Sequence, residues 1–165
     1  MPKVAIFMGS ASDEQNVAAC VDILKSLGID FTFTVTSAHR TPERTHSLVK
    51  EAEKNGVKVF ICAAGMAAHL AGAIAAITTF PVIGIPLNAS SLSGMDALLS
   101  TVQMPPGFPV ATVSLDKAGS KNAAWLAAQI LAINDESLQK KIIEARREMQ
   151  ENVIKSGNEI KNKYQ

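Results

Sequence analysis

The sequence predicts an α/β fold, a three-layer sandwich in which helices cover both faces of a parallel sheet. Two observations lead to this prediction. Short apolar runs alternate along the chain with longer segments of helical periodicity, and strands that are separated by helices pair in parallel. The chain has 165 residues, of which 47% are hydrophobic, and this is enough for one domain with a sizeable core.

Five strands are predicted. Three of them are continuous apolar runs, which is typical of strands buried on both faces. The second strand alternates phenylalanine or valine with threonine, and this period of two also indicates a strand. In chain order, the strands cover Val4–Gly9, Phe31–Val35, Val57–Ala64, Phe80–Pro86 and Pro109–Leu115.

Helices are predicted between these strands from their start and stop signals. The first begins at Ser12, with Gln15 at the capping-box spacing, and ends at Gly28. The second begins at Thr41-Pro42, because proline is tolerated at the first helical position, and it ends at Gly56. The later helices cover Ala67–Ile77, Gly94–Val102 and Lys121–Ile133.

Two segments suggest contacts between subunits. Ala67–Thr78 contains no Asp, Glu, Lys or Arg, and a helix that is apolar all round must be buried all round. It would lie inside the domain or, as we favour, at a subunit interface. Residues 134–165 form a helical extension of the 1–133 core within a single domain. This extension is either solvated or, as we favour, in contact with a neighbouring subunit along a stripe of Leu138, Ile142, Ala145, Met149, Val153 and Ile160.

Composition excludes several classes of function. The formal net charge is +1, so no electrostatic reason exists to expect nucleic acid or an anionic membrane as a partner. Cys20 and Cys62 lie in apolar patterns and are expected in the core. No metal-ligand spacing occurs. Neither a signal peptide nor a membrane-spanning run is present, and we expect a soluble cytoplasmic protein.

Polar loops follow the first four predicted strands. In open parallel sheets, ligands bind beyond the carboxyl ends of the strands, so these loops are expected to meet at one edge. They are Gly9–Asp13, Ser37–Pro42, Ala64–His69 and Pro86–Gly94. Within the last loop, Asn88–Ser93 is long enough to act as a lid, although it could equally be an ordinary connection.

The first loop is a glycine turn that runs into a helix N-terminus, which is a typical phosphate site. Plain helix capping by Ser12 and Asp13 explains the same pattern. The loop matches neither a dinucleotide-binding nor a triphosphate-binding motif. Because a carboxylate repels phosphate, Asp13 is better suited to bind a pair of sugar hydroxyls.

The second loop places His39 beside Arg40. Arginine has a planar fork suited to phosphate or carboxylate, and histidine is the side chain that most readily exchanges protons near neutral pH. A solvated loop histidine and a surface arginine would give the same pattern. His69 is a candidate core or interface residue that could also face the ligand edge, and His46 is interpreted as structural or solvated.

These residues predict an enzyme that acts on a small phosphorylated, ribosylated metabolite by acid–base chemistry without a metal. A non-catalytic nucleotide- or flavin-binding module is the alternative from a different class. An aromatic flavin sandwich is disfavoured, since the chain has only one tryptophan and one tyrosine.

The chain also carries, in this order, the motifs MGSASD, SAHRTPE, AAHLAG, PVIGIP, LSGMDALLSTVQMPPGFPVATV and AGSKNAAWLAAQIL. Together they closely resemble the class I N5-carboxyaminoimidazole ribonucleotide mutases of purine (IMP) biosynthesis, from about Val4 to Leu131. The resemblance implies a flavodoxin-like fold, a homo-octamer, and a reaction that uses no ATP, metal or organic cofactor. It implies transfer of carboxylate from the exocyclic nitrogen to ring carbon C4 of a ribonucleotide substrate. A related class II enzyme carboxylates aminoimidazole ribonucleotide directly with CO2, and this is the alternative reaction.

The resemblance also implies roles for individual residues. Ser10 and Arg40 would hold the phosphate, Asp13 the ribose hydroxyls, and His39 would transfer protons. The backbone of Gly65–Leu70 would enclose the base and the migrating carboxyl group. This loop differs from the family's common GGAAHLP at Met66 and Ala71. The complete assignment is His39 and His69 as catalytic residues, and Gly9, Ser10, Ser12, Asp13, Ser37, Ala38, Arg40, Gly65, Met66, Ala67, Ala68 and Leu70 as substrate-binding residues.

Overall fold

The structure, a computed structural model, describes all residues from Met1 to Gln165. Its centre is a five-stranded sheet in the order β2-β1-β3-β4-β5, with every neighbouring pair parallel. This order is that of the flavodoxin-like fold, so the predicted fold class is confirmed. The strands are β1 (Val4–Met8), β2 (Phe31–Val35), β3 (Val59–Gly65), β4 (Val82–Leu87) and β5 (Ala111–Thr112).

Helices connect the strands and cover both faces of the sheet. A short 3-10 turn, Ala11–Asp13, precedes the first of them. The α-helices are α1 (Glu14–Leu27), α2 (Pro42–Lys54), α3 (Leu70–Ala75), α4 (Met95–Val102), α5 (Asp116–Ala132) and α6 (Glu136–Tyr164). The strand order reverses between β1 and β3, and the crevice beyond their carboxyl ends is where ligands bind in such sheets.

The core lies on both faces of the sheet because alternate residues of each strand point in opposite directions. In β1, Ile6 faces α1 and α5, whereas Phe7 faces α2 and α3. All five β1 residues are buried, which explains why this segment is a continuous apolar run. Cys20 and Cys62 are free and buried, as expected. Burial raises the pKa of the Cys20 thiol to about 12, so this thiol is unreactive at neutral pH.

Several predicted boundaries were wrong. The capping box joins Ser10 to Asp13, not Ser12 to Gln15, because the first helical turn begins at Ala11, directly after Ser10. Strand β5 has only two residues, since the preceding segment around Pro109 cannot continue the ladder. Helix α5 begins five residues earlier than predicted, at Asp116.

Helix α3 is the largest correction. It spans only Leu70–Ala75, because Met66–His69 form a non-helical segment that begins with a left-handed φ of 56° at Met66. The chain itself buries Leu70, Ala71, Ile74 and Ala75. Packing inside the domain therefore explains the lack of charge at these four positions, whereas Ala67 and Ala76 are exposed, and the predicted subunit contact of this segment stays a prediction.

Helix α6 lies within the predicted helical extension, residues 134–165. Its N-cap is Asp135, whose carboxylate accepts a hydrogen bond from Leu138 N (2.9 Å). Only its first turns pack on the core, through the buried Leu138 and Ile142. Further along, Val153 and Ile160 are 73% and 62% exposed. No helix in the chain combines the length and the apolar character that crossing a membrane requires.

Candidate active site

The loop after β1 is shaped by its own side chains. Gly9 N donates to Ala63 O of β3 (3.0 Å), which holds the turn against the sheet. Ser10 N donates to Asp13 Oδ2 (3.1 Å), and Ser12 donates through its N–H (3.4 Å) and its hydroxyl (2.9 Å) to Ser10 Oγ. The loop thus presents two hydroxyls and one carboxylate at the start of α1, whose N-terminal dipole favours anions.

Asp13 lies in a partly desolvated position. Burial is the main influence on its carboxyl group and raises its pKa, while hydrogen bonds from Ser10 and Ser12 lower it in part. The folded protein therefore holds this charge at some cost in stability. A carboxylate kept in such a position is suited to accept hydrogen bonds from a ligand.

The loop after β2 is built on a buried threonine network. Thr36 Oγ1 and Thr45 Oγ1 are 2.8 Å apart, and both residues are buried. Thr41 Oγ1 accepts a hydrogen bond from Ser37 N (3.0 Å), and Arg40 N donates to Ser37 Oγ (3.1 Å). The residues from Ser37 to Thr41 therefore form a rigid turn that projects His39 and Arg40 outward.

Arg40 joins the first loop to the second. Its Nη2 donates to Gly9 O (3.2 Å), and its side chain is otherwise exposed. One edge of the guanidinium is thereby fixed beside the Ser10 turn. The remaining N–H groups are available to an anion, as phosphate recognition by arginine requires.

His39 and His69 join the second loop to the third. His39 Nε2 and His69 Nδ1 are 2.8 Å apart, and the rings meet edge to face at 84°. A hydrogen bond at this distance requires one nitrogen to carry a proton and the other to lack one. The pair therefore holds a proton between two exposed imidazoles at the edge of the crevice.

The third loop, Gly65–His69, approaches the site mainly through its backbone. Met66 has a φ of 56°, the left-handed region that favours glycine, so this residue keeps a backbone shape that glycine would adopt easily. Ala68 and Leu70 are only 1% and 2% exposed. Their side chains belong to the core, and only their backbone groups remain for a ligand.

The predicted residues of the first three loops are thus brought to one edge of the sheet. Gly9, Arg40, His39 and His69 form a continuous line of contacts. His46 is exposed on α2, away from this line. The sequence reasoning missed the supporting threonines, although Thr45 lies on the apolar face of α2 beside Val49 and could have been noticed. No group of three or more His, Cys, Asp or Glu side chains is arranged to hold a metal ion.

Comparison with known proteins decides the family. Residues 3–152 match the family model described as AIR carboxylase. The chain belongs to the AIR carboxylase family. Relatives named N5-carboxyaminoimidazole ribonucleotide mutase include one from Saccharolobus solfataricus, 50% identical over 93% of this chain and 96% of the relative. A Bacillus subtilis mutase is 48% identical over 96% of this chain and 98% of the relative.

Solved structures agree with this assignment. The crystal structure of Treponema denticola PurE superposes with a TM-score of 0.89 at 30% sequence identity, covering 98% of this chain and 99% of that one. The AIR carboxylase family therefore accounts for the fold, including the long α6 that follows the last strand–helix unit.

Proposed function

We propose that this protein converts N5-carboxyaminoimidazole ribonucleotide to 4-carboxyaminoimidazole ribonucleotide in purine biosynthesis. The observation that carries the proposal is the His39–His69 pair, 2.8 Å between ring nitrogens, directly beside an arginine with a free guanidinium edge. Relatives that carry the mutase name are 46% to 50% identical to this chain. The protein is, on this proposal, an isomerase that transfers a carboxyl group within one molecule.

The ribotide is held by the first two loops. Its phosphate lies between the Arg40 guanidinium and the Ser10 hydroxyl, close to the positive end of α1. Asp13 accepts hydrogen bonds from the ribose hydroxyls. Anchoring the substrate at both groups fixes the imidazole ring beside His39, and such positioning lowers the barrier for the chemical step.

The reaction exchanges one carbon–nitrogen bond for one carbon–carbon bond. The bond from the exocyclic nitrogen to the carboxyl group breaks, CO2 is released into the pocket, and the nitrogen takes a proton. Ring carbon C4 then attacks the trapped CO2 and loses its own proton. One proton enters and one leaves, so a single acid–base group can serve both transfers.

The histidine pair supplies that group. Because His39 Nε2 bonds to His69 Nδ1, His39 Nδ1 and His69 Nε2 remain for the substrate. We assign proton transfer to His39 and its orientation to His69. The small residues of the third loop, Gly65, Ala67 and Ala68, let the backbone approach the reacting carboxyl group and exclude water from the released CO2.

Direct carboxylation of aminoimidazole ribonucleotide is the second candidate, because the matching family model is described as AIR carboxylase. The test compares two samples of purified protein without ATP or metal. One receives N5-carboxyaminoimidazole ribonucleotide, and the other receives aminoimidazole ribonucleotide with bicarbonate. Rapid formation of the C4-carboxylated imidazole from the first alone, followed by its ultraviolet absorbance, supports the mutase.

Two other outcomes contradict the proposal. Rapid conversion of the second sample at modest bicarbonate would identify a direct carboxylase, and the loop at Met66 and Ala71 would be the first place to seek the cause. If neither substrate were converted, the alternative of a non-catalytic nucleotide-binding module would be favoured.

We also propose that the protein is a cytoplasmic homo-octamer, as the family resemblance implies. Exposed apolar side chains on α4 and α6 support an assembly, among them Met95 (56% exposed), Leu99 (48%) and Val153 (73%). Such surfaces are unusual on a monomer when they are contiguous. Light scattering of the purified protein should give the mass of eight 17.5 kDa chains, and a monomer would refute the assembly.

A further inference from the structure

A fourth loop, Asn88–Gly94, joins β4 to α4 at the same edge of the sheet as the candidate site. It rests directly on the third loop. A Cβ atom added to Gly65 would lie 2.5 Å from Ala89 Cβ and 3.2 Å from Leu87 O, so no side chain fits between the two segments. Any shift of the fourth loop would therefore displace Gly65, at the start of the loop that carries His69.

The base of the fourth loop is fixed on the corner formed by Leu115 and Asp116. Asn88 N donates to Asp116 Oδ1 at 2.8 Å. At the other end, a Cβ on Gly94 would lie 2.2 Å from Leu115 Cδ2 and 3.4 Å from Asn88 Cα. Both ends of the loop are thus held by two consecutive residues at the start of α5.

Asp116 makes this contact from a strained backbone. Its φ is 54°, and the only other non-glycine residues with positive φ are Met66 and Ser93. All three lie at the carboxyl edge of the sheet, in or beside the third and fourth loops. A left-handed conformation is unfavourable for most non-glycine residues, although aspartate tolerates it better than most, and residues held in it are often found at functional sites.

We propose that Asp116 is a positioning residue for the reaction. Its carboxylate anchors the fourth loop against Gly65, so that this loop forms a fixed wall beside the third loop and retains the released CO2. The inference rests on the proposed mutase function. Without the anchor, part of the CO2 escapes: the carbon–nitrogen bond breaks, the nitrogen takes its proton, and aminoimidazole ribonucleotide leaves in place of the carboxylated product.

Three substitutions separate the hydrogen bond from the backbone strain. Asp116→Gly removes the acceptor and any left-handed strain, whereas Asp116→Ala removes the acceptor and places in the left-handed region a residue that tolerates it less well than aspartate. Asp116→Asn keeps an acceptor oxygen, and asparagine tolerates the left-handed region. Lys117→Ala, at the next and exposed position, is the control for the helix start.

We expect kcat/KM to fall about tenfold in Asp116→Gly and Asp116→Ala, the loss typical of one hydrogen bond to a charged group, and to recover within about threefold in Asp116→Asn. The fraction of substrate released as aminoimidazole ribonucleotide, corrected for spontaneous decay, should rise in the first two variants. Asp116→Gly should unfold close to the wild-type temperature, because relief of left-handed strain offsets part of the lost hydrogen bond, so that a changed partition of the substrate is not a consequence of unfolding.

Hydrogen exchange of the backbone amides at Asn88–Gly94 reports how firmly Asp116 holds this loop, and the measurement does not require the enzymatic reaction. It should accelerate in Asp116→Gly and stay at the wild-type rate in Lys117→Ala. Unchanged exchange in Asp116→Gly, unchanged partition of the substrate, or an equal loss in Asp116→Asn would each overturn the proposal. If the wild-type protein forms no carboxylated product, the mutase function fails, while the exchange result still decides whether Asp116 holds the loop.

Discussion

Charged side chains make different contacts at the two edges of the sheet, the amino edge where the strands begin and the carboxyl edge where they end. At the amino edge, charged groups are bonded to the protein: Lys141 Nζ donates to Leu27 O at the end of α1 (2.9 Å), and Lys50 Nζ donates to Ile77 O (2.9 Å). At the carboxyl edge, Arg40 also bonds to a carbonyl, Gly9 O, yet its guanidinium has further donors that face solvent. The two lysines stabilise helix ends, whereas the free guanidinium donors of Arg40 are available to a ligand.

The different contacts at the two edges show that the size of a cleft alone does not identify the candidate active site. A cleft of about 790 Å³ lies at the amino edge and includes Lys58 and Lys141 in its lining. Lys58 lies over the Phe80 ring, 4.7 Å from its centroid, and Lys141 caps α1. The site at the carboxyl edge is instead distinguished by neighbouring groups that can exchange a proton and bind an anion.

The largest effect is expected from His39→Asn, which removes the proposed proton-transfer group while leaving the proposed phosphate and ribose contacts. Loss of a general acid–base group lowers turnover by about 10²–10⁴-fold, so kcat should fall in this range while substrate binding persists. Steady-state kinetics and a binding titration with the ribotide product measure the two effects separately.

Two control variants make this test specific. His46→Asn changes an exposed histidine on α2, and Lys58→Gln changes a charge at the amino edge. Both should keep kcat within about twofold of the wild type, as surface changes remote from a site usually do. Near-normal turnover of His39→Asn would remove this residue from the mechanism.

Arg40→Met and Lys141→Met compare one bonded cation from each edge. Arg40→Met should raise KM about 10- to 100-fold, because the proposed charge-assisted contact with phosphate is lost, with little change in melting temperature. Lys141→Met should lower the melting temperature, since the last turn of α1 loses its cationic cap, with KM unchanged. Similar effects of both variants on KM and melting temperature would show that the two edges do not differ in function, and the reverse pattern would place ligand binding at the amino edge.

The sequence predicted most of the fold because local signals and topology agree. Strand β2 was located to the residue by its alternating pattern, and Gly28 ends α1 with a φ of 73°. Capping was ambiguous because Ser10–Asp13 and Ser12–Gln15 have the same spacing, and only the point where the chain leaves the sheet selects the first pair. The late start of α3 was not predicted, because Ala67 and Ala68 favour a helix by propensity yet lie outside it in the structure.

The sequence was sufficient to predict which loops meet at the candidate site. It was not sufficient to predict which side chains are in contact there. Parallel strands bring their carboxyl ends together, which places His39 and Arg40 near the third loop. The His39–His69 hydrogen bond joins residues 30 apart in sequence and depends on where α3 begins. The contact of Asp116 with Asn88 was missed, because the predicted helix began at Lys121 and no pattern linked the two residues.

A smaller effect is expected from Asp13→Asn. Burial raises the Asp13 pKa, so the charged carboxylate destabilises the folded state at neutral pH, and this penalty disappears as the pH falls through the folded-state pKa. The variant should therefore unfold at the wild-type temperature or slightly above it, because asparagine still accepts from Ser10 N. KM should nevertheless rise about tenfold through weaker ribose contacts. A lower melting temperature with unchanged KM would make Asp13 a structural cap only.

The smallest effect is expected at the amino edge, from Glu53→Gln. A hydrogen bond from Thr78 and the nearby Lys50 hold the Glu53 pKa below its ordinary value. The stabilisation is therefore present at pH values above the ordinary glutamate pKa of 4.5 and is lost as the pH falls through the lower, folded-state pKa. At pH 7, Glu53→Gln should reduce the free energy of unfolding by about 1 kcal/mol or less, and the difference should shrink toward about pH 3.

Denaturant unfolding at both pH values measures this change, with Glu51→Gln, an exposed glutamate on the same helix, as the matched control. In neither variant should kcat/KM at pH 7 change, because the amino edge contributes to stability and not to the reaction. If Glu53→Gln lowered kcat/KM while leaving unfolding untouched, the amino edge would take part in function. The division between the two edges would then not hold.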